Sequence, residues 1–372
     1  MVTRAGNQPG RDGSLDCLRL YAAGVVLLQH ASLAGLSSNH SPHLKRAAQV
    51  LGPSSGIAVN LFFVLSGYVL IKSFVRTRSL KTFVVRRLAR LYPLYAVVGL
   101  VLIACNYGTS RRPLTAAEYF SFTSVYTGNY LLGPAWTLCV EIAFTLFLVV
   151  TALWASSRAR PRKLHAGLIF MLLFPPALGW ILVGLFHTNR YPEPEAPLIG
   201  CLAFFAGCLA GLQQGRADNE LDPVVIRRRR ATLLLGVSIW VVTIPLSVLS
   251  PGRLYLRLAV DAAVTLSSVL VVLNHTSSWR VGAWCGRRSY GIYLWHVPLL
   301  GLLLSRNAMP VRLGDFGGTA VLTVYTFGAT LVLAAVTYSF VELPGLRYGS
   351  RRARSGVGRQ PQPRGRGGEV SM

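Results

Sequence analysis

Ten times along this chain of 372 residues an apolar run of roughly bilayer-spanning length returns, at about 15–36, 56–74, 88–106, 133–155, 164–186, 196–214, 231–249, 255–274, 289–305 and 318–341. A spanning helix needs about 20 mostly apolar residues, and in lipid each backbone amide must be satisfied inside its own helix or a closed barrel. The repetition therefore predicts an all-α, polytopic membrane protein of about ten transmembrane helices. With 52% hydrophobic and 14% charged residues, the chain is too apolar for a soluble enzyme. Pro175-Pro176 predicts a kink in the fifth run.

The basic residues set the expected orientation. With the N-terminus cytoplasmic, 28 of the 38 Lys and Arg fall on inside segments and 9 on outside loops, while Arg19 sits within the first span. This asymmetry predicts an even number of spans with both termini inside. The formal charge of +25 thus reads as a topology signal whose partner is anionic headgroups and not nucleic acid, because the arginines lie between apolar runs. Residues 1–14 form a short cytoplasmic segment, 15–345 the membrane domain, and 346–372 a basic disordered tail. In the outer loop at 107–132, Tyr119, Phe120, Phe122, Tyr126 and Tyr130 suit an aromatic interface belt, or a platform for a sugar.

Several ionisable groups stand where a bilayer normally excludes them. The first span, LDCLRLYAAGVVLLQHASLAGL, holds Arg19 and His30. Eleven residues separate them, which brings both to nearly one helix face, roughly 16 Å apart along the axis. Ionisable groups at such depth are functional by default. Snorkelling of Arg19, a satisfied interhelical His30, or a cleaved signal peptide are the alternatives. Glu141, in PAWTLCVEIAF, falls within one or two turns of His30's depth and could orient it as a general base. At the inner face Arg19, Arg86, Arg87 and Arg90 can grip a phosphorylated cytoplasmic cofactor, with Ser289, Tyr290 and His296 of SYGIYLWHVP and Glu342 near the same rim. The six cysteines show no metal-ligand spacing, and neither a Walker A loop, a Gly-x-Gly-x-x-Gly fingerprint, His-Glu-x-x-His nor Gly-x-Ser-x-Gly occurs. No metal and no permanently bound cofactor is expected.

Taken in order, LDCLRLYAAGVVLLQH, NLFFVLSGYVL, RRLARLYPLY, PAWTLCVEIAF, SYGIYLWHVP and the closing VELP resemble the acyltransferase-3 family of integral membrane acyltransferases. The resemblance implies about ten helices in the plasma membrane and transfer of an acyl group, often acetyl, from cytoplasmic acyl-CoA to a hydroxyl of a carbohydrate or glycosylated acceptor. It marks Arg19 and His30 as the central pair, with Glu141 and the Arg86/Arg90 region in support. Two departures are Cys17, where the family commonly has Gly, and Ile142-Ala143 in place of a more polar pair. A transporter or flippase of a lipid-linked sugar or small anion, which modifies nothing, is the rival reading.

Overall fold

The structure, a computed structural model, describes residues 13–37, 42–77, 79–105, 115–124, 131–154, 166–167, 196–213, 223–248, 254–305 and 316–355. Among these residues the regular elements are helical and no strand occurs. In chain order they are α1 (Gly13–Ser37), α2 (Pro42–Arg76), α3 (Leu80–Ala104), α4 (Thr115–Phe120), a single 3-10 turn (Gly133–Ala135), α5 (Trp136–Trp154), α6 (Ala196–Gln213), α7 (Pro223–Val248), α8 (Leu254–Asn274), α9 (Arg280–Gly286), α10 (Ser289–Ser305) and α11 (Phe316–Thr337). A π turn (Tyr338–Glu342) then leads without a break into α12 (Leu343–Ser355). Among the described residues five stretches are long and apolar enough to cross a membrane: Gly13–Ala34, Gly56–Arg76, Leu80–Ala104, Gly133–Val150 and Gly317–Arg351. Shorter apolar helices cover Gly200–Gln213, Ala259–Asn274 and Ser289–Leu304. The run expected at 164–186, with its proline pair, lies almost wholly outside the described residues.

Three expected boundaries move, each for a local reason. α3 begins at Leu80 and not near 88, because the Ser79 hydroxyl accepts the Thr82 amide and caps the first turn. Lys81, Arg86, Arg87 and Arg90 are therefore helical residues and not loop. α2 begins at Pro42, so helix replaces most of the expected loop at 37–55. The last helix continues to Ser355, which corrects the tail expected from 346; residues 356–372 lie outside the described set. A fourth correction concerns Tyr119, which is no surface belt residue. It is fully buried, stacks on Tyr95 with centroids 4.0 Å apart, and exchanges hydroxyl-to-carbonyl bonds with it at 2.8 and 3.1 Å. Tyr126 and Tyr130 are outside the described residues.

The densest packing is between α2 and α6. Where apolar lipid replaces water, helices associate through close packing, which small residues permit. Gly67 of α2 meets the Phe204 carbonyl and Gly207 of α6 meets the Val64 carbonyl so closely that a Cβ at either would collide with backbone. The Cys208 thiol donates to the Gly67 carbonyl at 3.4 Å, which fixes the register. Farther along α2, Asn60 Nδ2 donates to Thr265 Oγ1 at 2.9 Å and ties α8 to the same helix. The apolar core built here is continuous with buried residues of α1 and α5, so α2 serves as the central post.

This contact makes a test of the fold. Gly67→Ala should destabilise the purified protein by about 1–3 kcal/mol through overpacking. Gly24→Ala, where an added Cβ meets nothing within 4 Å, should not. Thermal unfolding followed by tryptophan fluorescence in detergent compares the two directly.

Candidate functional site

The site starts where α1 is docked. Gly286 of α9 touches the Asp16 carbonyl so tightly that no side chain fits there, and the Cys17 thiol faces the Trp279 carbonyl at 3.9 Å. These contacts seat the first turn of α1. Asp16, wholly buried, bonds Arg19 Nη1 at 2.9 Å from one turn away. The Arg19 guanidinium, 14% exposed, is held at the wall of a cavity.

That cavity lies among α1, α2, α3, α5 and α10. Small-molecule sites typically carry a few convergent polar groups. Arg19, Arg87 and Arg90 line it together with Glu141, Ser66, Thr137, Ser289, Tyr290 and Tyr293. Arg87 Nη2 is ion-paired with Glu141 Oε1 across α3 and α5, both side chains mostly buried. The Arg87 Nε has no hydrogen-bond partner among the described residues. Two tyrosines of α10 set the walls. The Tyr290 hydroxyl donates to the Leu91 carbonyl at 2.7 Å, and the Tyr293 hydroxyl donates to the Pro134 carbonyl at 2.9 Å while accepting from Thr137 at 3.0 Å. Three guanidinium groups stand against two carboxylates, Asp16 on Arg19 and Glu141 on Arg87, which leaves the cavity wall with a net positive charge, and planar guanidinium matches phosphate geometry.

Behind Tyr293 stand two imidazoles. Tyr293 and His296 have ring centroids 5.7 Å apart, and His296 meets His30 edge to face at 5.0 Å and 70°. His30 Nδ1 lies 2.9 Å from the Val26 carbonyl, and His296 Nδ1 lies 2.7 Å from the Tyr293 carbonyl. A carbonyl only accepts, so each Nδ1 carries the hydrogen and each Nε2 presents a lone pair. Both histidines are thus in the tautomer a general base requires.

The residues named from sequence divide accordingly. Arg19, Arg87, Arg90, Glu141, Ser289 and Tyr290 converge on the cavity. Arg86 does not join them: it is exposed, and its backbone borders Gly349 of α12. His296 sits beside His30 and not among the cavity-lining arginines. Glu141 engages Arg87, while His30 is held by a carbonyl of its own helix, so the expected Glu141–His30 pairing does not form. Sequence reading missed Thr137, whose hydroxyl bonds Tyr293. Its place one turn before Glu141 was the available signal.

Comparison with known proteins bears on this arrangement. The profile of an acyltransferase domain family matches residues 12–338. The chain is 27% identical to the peptidoglycan O-acetyltransferase OatA of Listeria monocytogenes, over 89% of this chain and 55% of that one. It is 28% identical to the putative peptidoglycan O-acetyltransferase YrhL of Bacillus subtilis, over 80% of this chain and 52% of the relative. Nodulation protein 10 of Rhizobium leguminosarum is 25% identical, with 91% and 94% covered. The chain thus spans about half the length of the first two relatives. No solved structure matches it. The matched segment contains every cavity-lining residue and both histidines, and the chain belongs to the acyltransferase-3 family.

Proposed function

We propose that this protein is a multi-pass O-acetyltransferase of the plasma membrane. It moves acetyl from cytoplasmic acetyl-CoA to a sugar hydroxyl presented on the outer side, and both termini are cytoplasmic. Peptidoglycan is the first acceptor to test, because two relatives carry that acceptor in their names. The observation that carries the reading is the cavity itself, cationic at Arg19, Arg87 and Arg90 and bounded by Tyr293, one ring away from the histidine pair.

The mechanism follows from those positions. The CoA phosphates bind at the guanidinium groups of Arg19, Arg87 and Arg90. Glu141 neutralises part of that charge and holds Arg87 in place. The pantetheine arm lies along the polar wall of Ser66, Thr137 and Ser289 and delivers the thioester toward His30, roughly 16 Å above Arg19 along α1. His30 Nε2 takes the proton of the acceptor hydroxyl as the oxygen attacks the thioester carbonyl, and CoA leaves as the thiol. Arg86, exposed on the far side of α3, serves the anionic headgroup layer instead.

Two sets of variants separate binding from chemistry. His30→Ala should lower kcat by about 10²- to 10⁴-fold with the KM for acetyl-CoA nearly unchanged. Arg90→Ala should raise that KM about tenfold or more, the worth of one charged hydrogen bond, and change kcat little. Purified protein, radiolabelled acetyl-CoA and peptidoglycan fragments provide the assay. Full activity in His30→Ala would remove His30 from the chemistry. An acceptor that crosses the membrane without gaining an acetyl group would favour the transporter. The ion pair gives a further expectation: Arg87→Ala should destabilise the fold by about 3–5 kcal/mol by leaving Glu141 buried and uncompensated, and adding Glu141→Ala should recover much of the loss. Chemical denaturation in detergent measures both.

A further inference from the structure

The face that α11 turns toward α1 and α10 carries two hydroxyls that its own backbone does not use. Leu322 packs with Ala31 and Leu300, and Ala334 packs with Ala23, Leu27 and Ile292. Thr326 and Thr330 follow Leu322 at successive turns of that face and are 1% and 0% exposed. Elsewhere on α11 threonine takes its usual helical outlet: Thr323 donates to the Thr319 carbonyl at 2.8 Å and Thr337 to the Leu333 carbonyl at 2.9 Å. Among the described residues Thr326 Oγ1 and Thr330 Oγ1 have no partner, and neither has Nε2 of His296, itself 1% exposed. His30 precedes Ala31 on α1, and His296 falls between Ile292 and Leu300 on α10, so both histidines sit at the level these threonines pass. An unmet polar atom in an apolar interior costs about 1–3 kcal/mol, and three of them fall at the level of one histidine pair.

We propose that His296 is the positioning partner of His30, its Nε2 holding, with the Thr326 and Thr330 hydroxyls beside it, the proton that His30 removes from the acceptor. This rests on the acetyl-transfer reading above. The acceptor O–H breaks and its oxygen bonds the acyl carbon. The proton is shared between the two Nε2 atoms, the C–S bond then breaks, and the proton passes from the pair to the departing sulfur. With centroids 5.0 Å apart, one proton reaches between the rings directly or through a threonine hydroxyl. Among the described residues the ionisable groups around the pair are few. Tyr293 stands beside His296 on α10, α1 brings Arg19 farther down its length, and α2 brings Phe62 against Tyr293. The Arg87–Glu141 ion pair lines the cavity that Tyr293 bounds, and Glu342 lies at the Gly291 end of α10.

The test is a pH titration of 15N-histidine-labelled protein in lipid nanodiscs without substrate, the His30 signal being assigned by its loss in His30→Gln. In His296→Phe the His30 ring should take up its proton at a pH lower by about one unit or more, because the acceptor for its Nε2–H is gone. The isosteric pair Thr326→Val with Thr330→Val, which tests the same chamber if the phenylalanine variant does not fold, should shift it in the same direction. In the transfer assay His296→Phe should lose about tenfold in kcat at constant KM for acetyl-CoA, and His296→Gln, whose amide oxygen accepts a hydrogen bond, should recover most of it. A His30 midpoint identical in wild type and both variants overturns the proposal, whatever the activity. A shifted midpoint in a protein that transfers no acetyl supports the pair and removes the acetyltransferase reading alone.

Discussion

A guanidinium inside an apolar bundle needs partners, and Arg19 and Arg87 each have a carboxylate, Asp16 and Glu141. Those two pairs carry the rest of the site. Asp16 is in turn fixed by the backbone contact at Gly286, so the α1–α9 junction sets where Arg19 points. Glu141 joins α3 to α5 at the cavity wall and holds Arg87 there. Remove either carboxylate and a cation that now binds becomes a cation that must find water.

The same economy shapes the far end of the cavity. Tyr290 and Tyr293 give their hydroxyl hydrogens to backbone carbonyls of neighbouring elements, so the walls are rigid without spending the arginines on them. His30 and His296 give their Nδ1 hydrogens to carbonyls of their own helices. Each ring is oriented by a bond that does not consume its basic nitrogen. The arginines and the two imidazoles are thus separated in space, with one tyrosine between them.

Five of the expected spans return as helices of spanning length because apolar length is a local property, and Arg19 and His30 lie on one of them, α1. Helix ends were less readable. The arginines at 86, 87 and 90 interrupt the apolar run, yet Ser79 caps the helix ahead of them and Arg87 is neutralised by Glu141, 54 residues away. No local pattern announces such a partner. For the same reason the sequence assigned Glu141 to His30 when its mate is Arg87, and grouped His296 with the cofactor residues when its neighbour is His30. Equal depth is legible from counting turns, whereas which of two facing helices supplies the partner depends on rotation and packing.

The central claim is that the arginine-lined cavity holds the donor's phosphates and delivers its acyl end past Tyr293 to a histidine base. The most direct measurement is an electron cryomicroscopy structure of the protein in nanodiscs with a non-transferable thioether analogue of acetyl-CoA. The account predicts analogue phosphates within hydrogen-bonding distance of Arg19 and Arg90, with the acyl end beside His30. An analogue bound with its acyl end away from both histidines, or bound outside the Arg87–Glu141 cavity, would contradict it.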